Sequence, residues 1–235
     1  MTAKTSMVLV AITLASTPLL LRGDDAKQQL VGAEQIDLAE LPDPPAELEK
    51  LIDEGDVSFF VGQRAADAQS RSPNRGGTKL SAETHYHLGF DYRCRSRWRI
   101  ANANGKRILS ITVAYQQIKL NRSHEIWLRN RPKSSTFWSS KLVLHEFDHV
   151  RLSSDPTIER HFVESLRKDK TITEEIAANV RVTETFVRAA IDRHAKEIFD
   201  ETIALINIRY QELDRQTDHG LQPLPDDSSL AEWLR

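Results

Sequence analysis

The chain contains one cysteine, Cys94, so it has no internal disulfide framework and no zinc site of the four-cysteine type. Charge of one sign is also missing. Thirty-two basic residues face 34 acidic ones, a net charge of -2, which gives no overall attraction to nucleic acid or an anionic membrane. There is no second long apolar run after Leu21, no internal repeat, no low-complexity tract and no glycine loop of the phosphate-cradling kind.

What is present suits one sizeable domain: 235 residues, 40% hydrophobic and 28% charged. Residues 1–23 read as an export signal or an uncleaved N-terminal anchor. Lys4 is followed by an uncharged run of 15 residues, Met7 to Leu21, which Arg22, Asp24 and Asp25 end. That is short of the about 20 residues of a membrane-spanning helix and matches a signal-peptide core. The expected location is therefore secreted, periplasmic or at the cell envelope, with no membrane contact beyond such an anchor and Cys94 a free, buried thiol.

Residues 24–56 form an acidic leader, broken at Leu41-Pro42-Asp43-Pro44-Pro45 and expected to pack loosely; residues 57–235 form the domain proper. Val57 to Val61 reads as a strand and 62–82 as a long loop. Alternation from Thr84 to Ile100, a hairpin signal at Asn104-Gly105 and a return strand from Arg107 to Leu120 follow, with Ile126 to Leu128 as an added short strand. The period then becomes helical. Expected helices run from Phe137 to Leu152, from Ile158 to Arg167, and from Thr173, as an N-cap, to Leu213. Strands first and helices second make this an α+β domain.

Inside the first of those helices stands His145-Glu146-Phe147-Asp148-His149. Histidines at i and i+4 lie about 40° apart on a helix, so both imidazoles can face one ion, with the glutamate beside them. This is the His-Glu-x-x-His spacing of zinc peptidases. There zinc polarises the scissile carbonyl and acidifies its water, and the glutamate carries the proton to the leaving amine. One Zn²⁺ per chain is expected, held by three protein groups.

The residues leave the third ligand open. Asp155 lies six positions after His149, but Leu152 stands where a glycine turn would be needed, and a continuous helix would point Asp155 about 240° away. Glu174 and Glu175, or His161 and Glu164, are further candidates. Asp148, Asp214 or Asp218 suit the orienting of a ligand imidazole, and Tyr210 the stabilising of an oxyanion. His85 and His87 share a strand face, and Arg93, Arg95, Arg97 and Arg99 place four charges on one face, suited to a carboxylate-rich partner.

The order of signal segment, tryptophan-bearing hairpin, His-Glu-x-x-His helix, long helix and Tyr210-x-x-x-Asp214-x-x-Thr217-x-His219-Gly220 resembles a family of uncharacterised bacterial proteins classed as secreted zinc-dependent proteases. The resemblance spans roughly residues 84–220 and is specific at 145–149 and 214–220. It implies a zincin-like fold: antiparallel strands, the active-site helix, then a long C-terminal helix. It also implies His219 as a site residue and hence as the preferred third ligand, with Asp155 the alternative. The expected activity is zinc-dependent hydrolysis of protein or peptide substrates, with Glu146 as general base and no nucleic-acid partner. A zinc-binding interaction module without turnover is the rival reading.

Overall fold

The computed structural model of the chain describes residues 11–14, for the backbone, and residues 32–63 and 81–234. The rest of the expected export segment, and most of the 62–82 loop, lie outside the described residues. The elements are β1 (Ala11–Leu14), β2 (Glu34–Gln35), α1 (Ala46–Gly55), β3 (Val57–Val61), β4 (Ala82–Ala103), β5 (Lys106–Leu128), α2 (Lys141–Ser154), α3 (Pro156–Lys168), β6 (Thr171–Ile176) and α4 (Glu184–Thr217). The protein is α+β, with one mixed sheet and four α-helices among the described residues. None of the described helices is long and apolar enough to cross a membrane.

The hairpin forms where the turn chemistry puts it. Asn104 and Gly105 have φ of 51° and 76°, the paired positive values that a two-residue loop between twisted strands requires. β5 then runs without interruption to Leu128, so Ile126 to Leu128 is the end of that strand rather than a separate one. The sheet is not purely antiparallel. β3 lies parallel to β5, with Val57 beside His124 and Val61 beside Leu128. Alternation reveals a strand but says nothing of the neighbour it finds or of its direction.

Two helix starts also differ from expectation. A 3-10 segment, Ser134–Ser139, takes up Phe137, and α2 begins only at Lys141. The long helix begins at Glu184, because Thr171–Ile176 is β6, paired antiparallel with Arg107–Thr112. The run Thr-Ile-Thr suits a strand as well as a helix start, and the sheet edge decides it. Thr183 caps α4 instead, accepting from the Phe186 N–H at 3.3 Å.

By contacts the chain divides into two compact units. The first comprises residues 1–19, 90–120 and 157–204; the second comprises 20–89, 121–156 and 205–235. The first is centred on Phe90, Phe162 and Phe199, rings 4.8–5.8 Å apart. It also holds Cys94, buried and free as expected, whose thiol is pushed up by burial.

The second unit is built round α2. Val143, Phe147 and Val150, at i, i+4 and i+7, form one stripe and bury against Phe59, Ile126 and Leu128. Phe137 and Phe147 flank Phe59 at 5.3 and 5.8 Å, contacts of the kind worth about 0.5–1.5 kcal/mol beyond area burial. Ile36, Leu41 and Leu48 join this core, so the acidic 24–56 stretch packs more closely than its composition suggests. A second stripe, His145, His149 and Leu152, is buried on another side of α2, and Leu152 clusters with Leu213 and Leu230.

Candidate metal centre

All parts of the site belong to the second unit. The spacing that predicts two convergent imidazoles operates as expected: the rings of His145 and His149 have centroids 4.8 Å apart, and both residues are buried. What meets them is Asp214. Its Oδ1 lies 3.2 Å from His145 Nε2 and 3.1 Å from His149 Nε2, and the three ligand atoms sit within 4.8 Å of one another. Both imidazole nitrogens donate to the one carboxylate oxygen, and with those two protons gone the same three atoms would form the donor set of a cation site. The cluster could hold a metal ion, and among the described residues it is the one such group.

The favoured third ligand, His219, is therefore not the group that completes the triangle. It is more than half exposed, with Nδ1 3.5 Å from Asp214 Oδ1, and it stands beside the cluster rather than in it. The reason lies in the turn that ends α4. Asp218, His219 and Gly220 have φ of 49°, 53° and 79°. This left-handed run folds the chain back so that Gly220 lies against His145. A Cβ at position 220 would come within 2.7 Å of His145 Cγ, closer than such contacts allow.

The other candidates stand elsewhere. Asp155 is the joint between two helices, with extended backbone (ψ 125°) ahead of Pro156, which opens α3. It has no place in the cluster. Glu174 and Glu175 sit on β6 in the first unit, paired with Arg193 at 2.6 Å and Lys106 at 2.7 Å. His161 and Glu164 belong to α3 of the same unit. Asp148 accepts from Arg151 at 2.6 Å rather than from an imidazole, and Asp218 is exposed in the turn. His85 and His87 each face a glutamate at 3.5 Å, Glu83 and Glu125 respectively, and among the described residues belong to no cluster of three ligands.

The electrostatics follow from burial and convergence. Burial works to raise the Asp214 carboxyl, but hydrogen bonds and charge from His145 and His149 outweigh it and hold Asp214 well below the usual carboxylate range. His145 is displaced upwards: burial disfavours its charge, and Asp214 and Glu146 together overcome that. Glu146 is 3% exposed, and burial raises its carboxyl against the opposing pull of His149 and Thr84. The Thr84 hydroxyl, from β4, donates to Glu146 Oε2 at 2.7 Å.

A buried chain of hydrogen bonds supports His149 from behind. The Gly55 carbonyl can only accept, so His124 Nδ1, 2.6 Å away, donates to it. Burial pushes the His124 imidazole down to about 4, so it is neutral and its Nε2 is an acceptor. Ser153 Oγ, 2.8 Å away, donates to that nitrogen, and the Tyr210 hydroxyl donates to Ser153 at 2.8 Å. The Tyr210 ring packs on His149 at 4.4 Å, and Tyr86 packs on Tyr210 at 5.1 Å. His149 Nδ1 is buried without a hydrogen-bond partner, so this ring contact holds the imidazole. Burial raises the Tyr210 hydroxyl well above its ordinary value.

Sequence reasoning missed Thr84, His124 and Ser153, and nothing local marks them. Asp214 was expected as an orienting carboxylate, and it meets both imidazoles from four residues beyond Tyr210. No family model, no curated protein and no solved structure matches this chain.

Proposed function

We propose that the protein is an exported zinc-dependent peptidase, with zinc held by His145, His149 and Asp214. The observation that carries this is the convergence of His145 Nε2, His149 Nε2 and Asp214 Oδ1 beside a buried glutamate. Two nitrogens and one oxygen suit zinc, and three protein ligands leave a position for substrate chemistry. Zinc, when bound, supplies Lewis acidity to a carbonyl oxygen and to a water.

The chain's own residues do the rest. Thr84 fixes Glu146 by its Oε2, leaving Oε1 to take a proton and pass it to the departing amine. Burial raises the basicity of that carboxylate. Asp214 holds both imidazoles to one point, and the Tyr210 ring sets the plane of His149. Thr84 also brings β4 alongside α2. β1 takes Cys94–Arg97 of β4, so among the described residues the stretch before Cys94 has no strand on the side away from β5. An extended peptide substrate would pair there by its backbone.

Elemental analysis of the purified chain should find about one zinc per chain. The Glu146→Gln variant should keep that zinc and lose peptide hydrolysis by about 10²–10⁴-fold. Normal turnover in that variant would sink the mechanism. A chain that takes up no zinc would sink the site, and full zinc without hydrolysis across broad peptide libraries would leave a binding module.

A further inference from the structure

The first unit carries a surface that the peptidase reading does not use. β4 alternates there: Tyr92, Cys94 and Ser96 are buried, while Arg93, Arg95, Arg97 and Arg99 are exposed on the other face. Tyr92 meets Tyr115 of β5 at 5.3 Å, so the residues exposed on β5 share the arginine face. Along the middle of the stretch these are Thr112, Ala114 and Gln116, all uncharged; Lys106 and Lys119, nearer its ends, are exposed and basic. On β6, Thr171 pairs with Thr112 and is exposed as well. Acidic side chains stand only at the two ends of this face among the described residues. Asp91 precedes the stripe, and Glu175 near the hairpin is occupied by Lys106 at 2.7 Å.

Four guanidinium groups therefore stand about 7 Å apart along a strand, with no opposite charge between them. A surface built only for solubility mixes both signs and uses lysine freely; this stripe has one sign and one residue type. The unit around it has 16 basic and 11 acidic residues, a net charge of +5, although the whole chain is at -2.

We propose that this face binds an extended acidic polypeptide segment with carboxylates at alternate positions. Side chains two apart on an extended chain repeat at about 7 Å, the repeat of the arginines, and each carboxylate meets a planar fork that binds it bidentately. Single-stranded nucleic acid has phosphates at a comparable spacing but is held by aromatic stacking as well. Among the described residues the face offers no ring: Trp98 belongs to the alternate set with Tyr92, and the exposed neighbours on β5 are Thr, Ala, Gln and Lys.

The test is fluorescence anisotropy with the full chain and a labelled ten-residue peptide of alternating Glu and Thr, at low and at 0.5 M salt. Controls are the same composition with its glutamates contiguous, an oligothymidylate and a sulfated polysaccharide. The alternating peptide should bind several-fold more tightly than the contiguous one and be released by salt. Arg95→Gln with Arg97→Gln should weaken it about tenfold, from the modest worth of each exposed pair. Arg→Lys at the same two positions should recover only part of that loss, with the melting temperature unchanged in both variants. Equal binding of the two peptides, no effect of the glutamine variant, or tighter binding of the oligothymidylate or polysaccharide would each overturn the proposal. The assay reads binding alone, so it stands or falls independently of zinc and hydrolysis.

Discussion

The two units of this chain divide its chemistry by charge. The first holds 16 basic and 11 acidic residues, net +5; the second holds 16 basic and 23 acidic, net -7. In the first, four arginines stand on an outward strand face and a part-buried ion pair is closed. Arg188 donates to both Asp192 oxygens at 3.0 Å, and the Tyr92 hydroxyl donates to Asp192. In the second, the informative charges are inside. Asp214 and Glu146 sit among imidazoles, and a neutral histidine anchors the support. Charge at a surface costs little and is free to meet a partner; charge in an interior persists only when neighbouring groups are arranged for it.

The largest effect expected from this contrast comes from removing the half-buried Asp214 carboxylate. Asp214→Ala should weaken zinc binding by more than the about 10–100-fold that supporting residues contribute, while His219→Ala should change it by less than about tenfold. Competition with a chromophoric chelator reads both. Hydrogen exchange in β6 of the first unit should stay unchanged. The reverse order of the two variants would restore His219 as the third ligand.

The next effect concerns acid. His124 titrates near its ordinary value when unfolded and is pushed down to about 4 when folded, so between those values the unfolded chain binds more protons. Stability is then full above about pH 6.5 and falls as pH drops towards 4, by about 3 kcal/mol from this group. In His124→Leu the Ser153 proton can turn to the His149 carbonyl, 3.0 Å away, and that part of the acid slope should vanish. Urea unfolding from pH 7.5 to 4.5 measures it. An identical slope in both proteins would show that His124 is charged when folded.

Smaller still is the change at the turn. Gly220→Ala places a methyl against the His145 ring at a backbone φ of 79°, at a cost of about 2 kcal/mol. The expected result is a lower melting temperature and a weaker metal site together. A lower melting temperature with the metal affinity intact would separate the turn from the site.

Much of this was legible because it is local. The Asn104-Gly105 turn, the strand alternation of β4 and the pairing of His145 with His149 each depend on a period or a dihedral that a few neighbouring residues set. The start of the long helix was not legible. Thr171 to Ile176 has a composition acceptable to helix or strand, and the edge of β5 made it a strand. The resemblance implied His219, which stands 3.5 Å from Asp214, while the glycine after it packs against His145.

By itself the sequence determined which helix carries the two imidazoles and the glutamate, since 3.6 residues per turn places i and i+4 together in any fold. It also determined the arginine alternation, since a strand repeats every two residues. Only the tertiary structure decided that Asp214, 65 positions beyond His149, supplies the oxygen between them. The same holds for Thr84 on Glu146 and for the path from Gly55 through His124 and Ser153 to Tyr210. Such contacts join segments far apart in the chain, and no local period encodes them; packing against a shared core sets them.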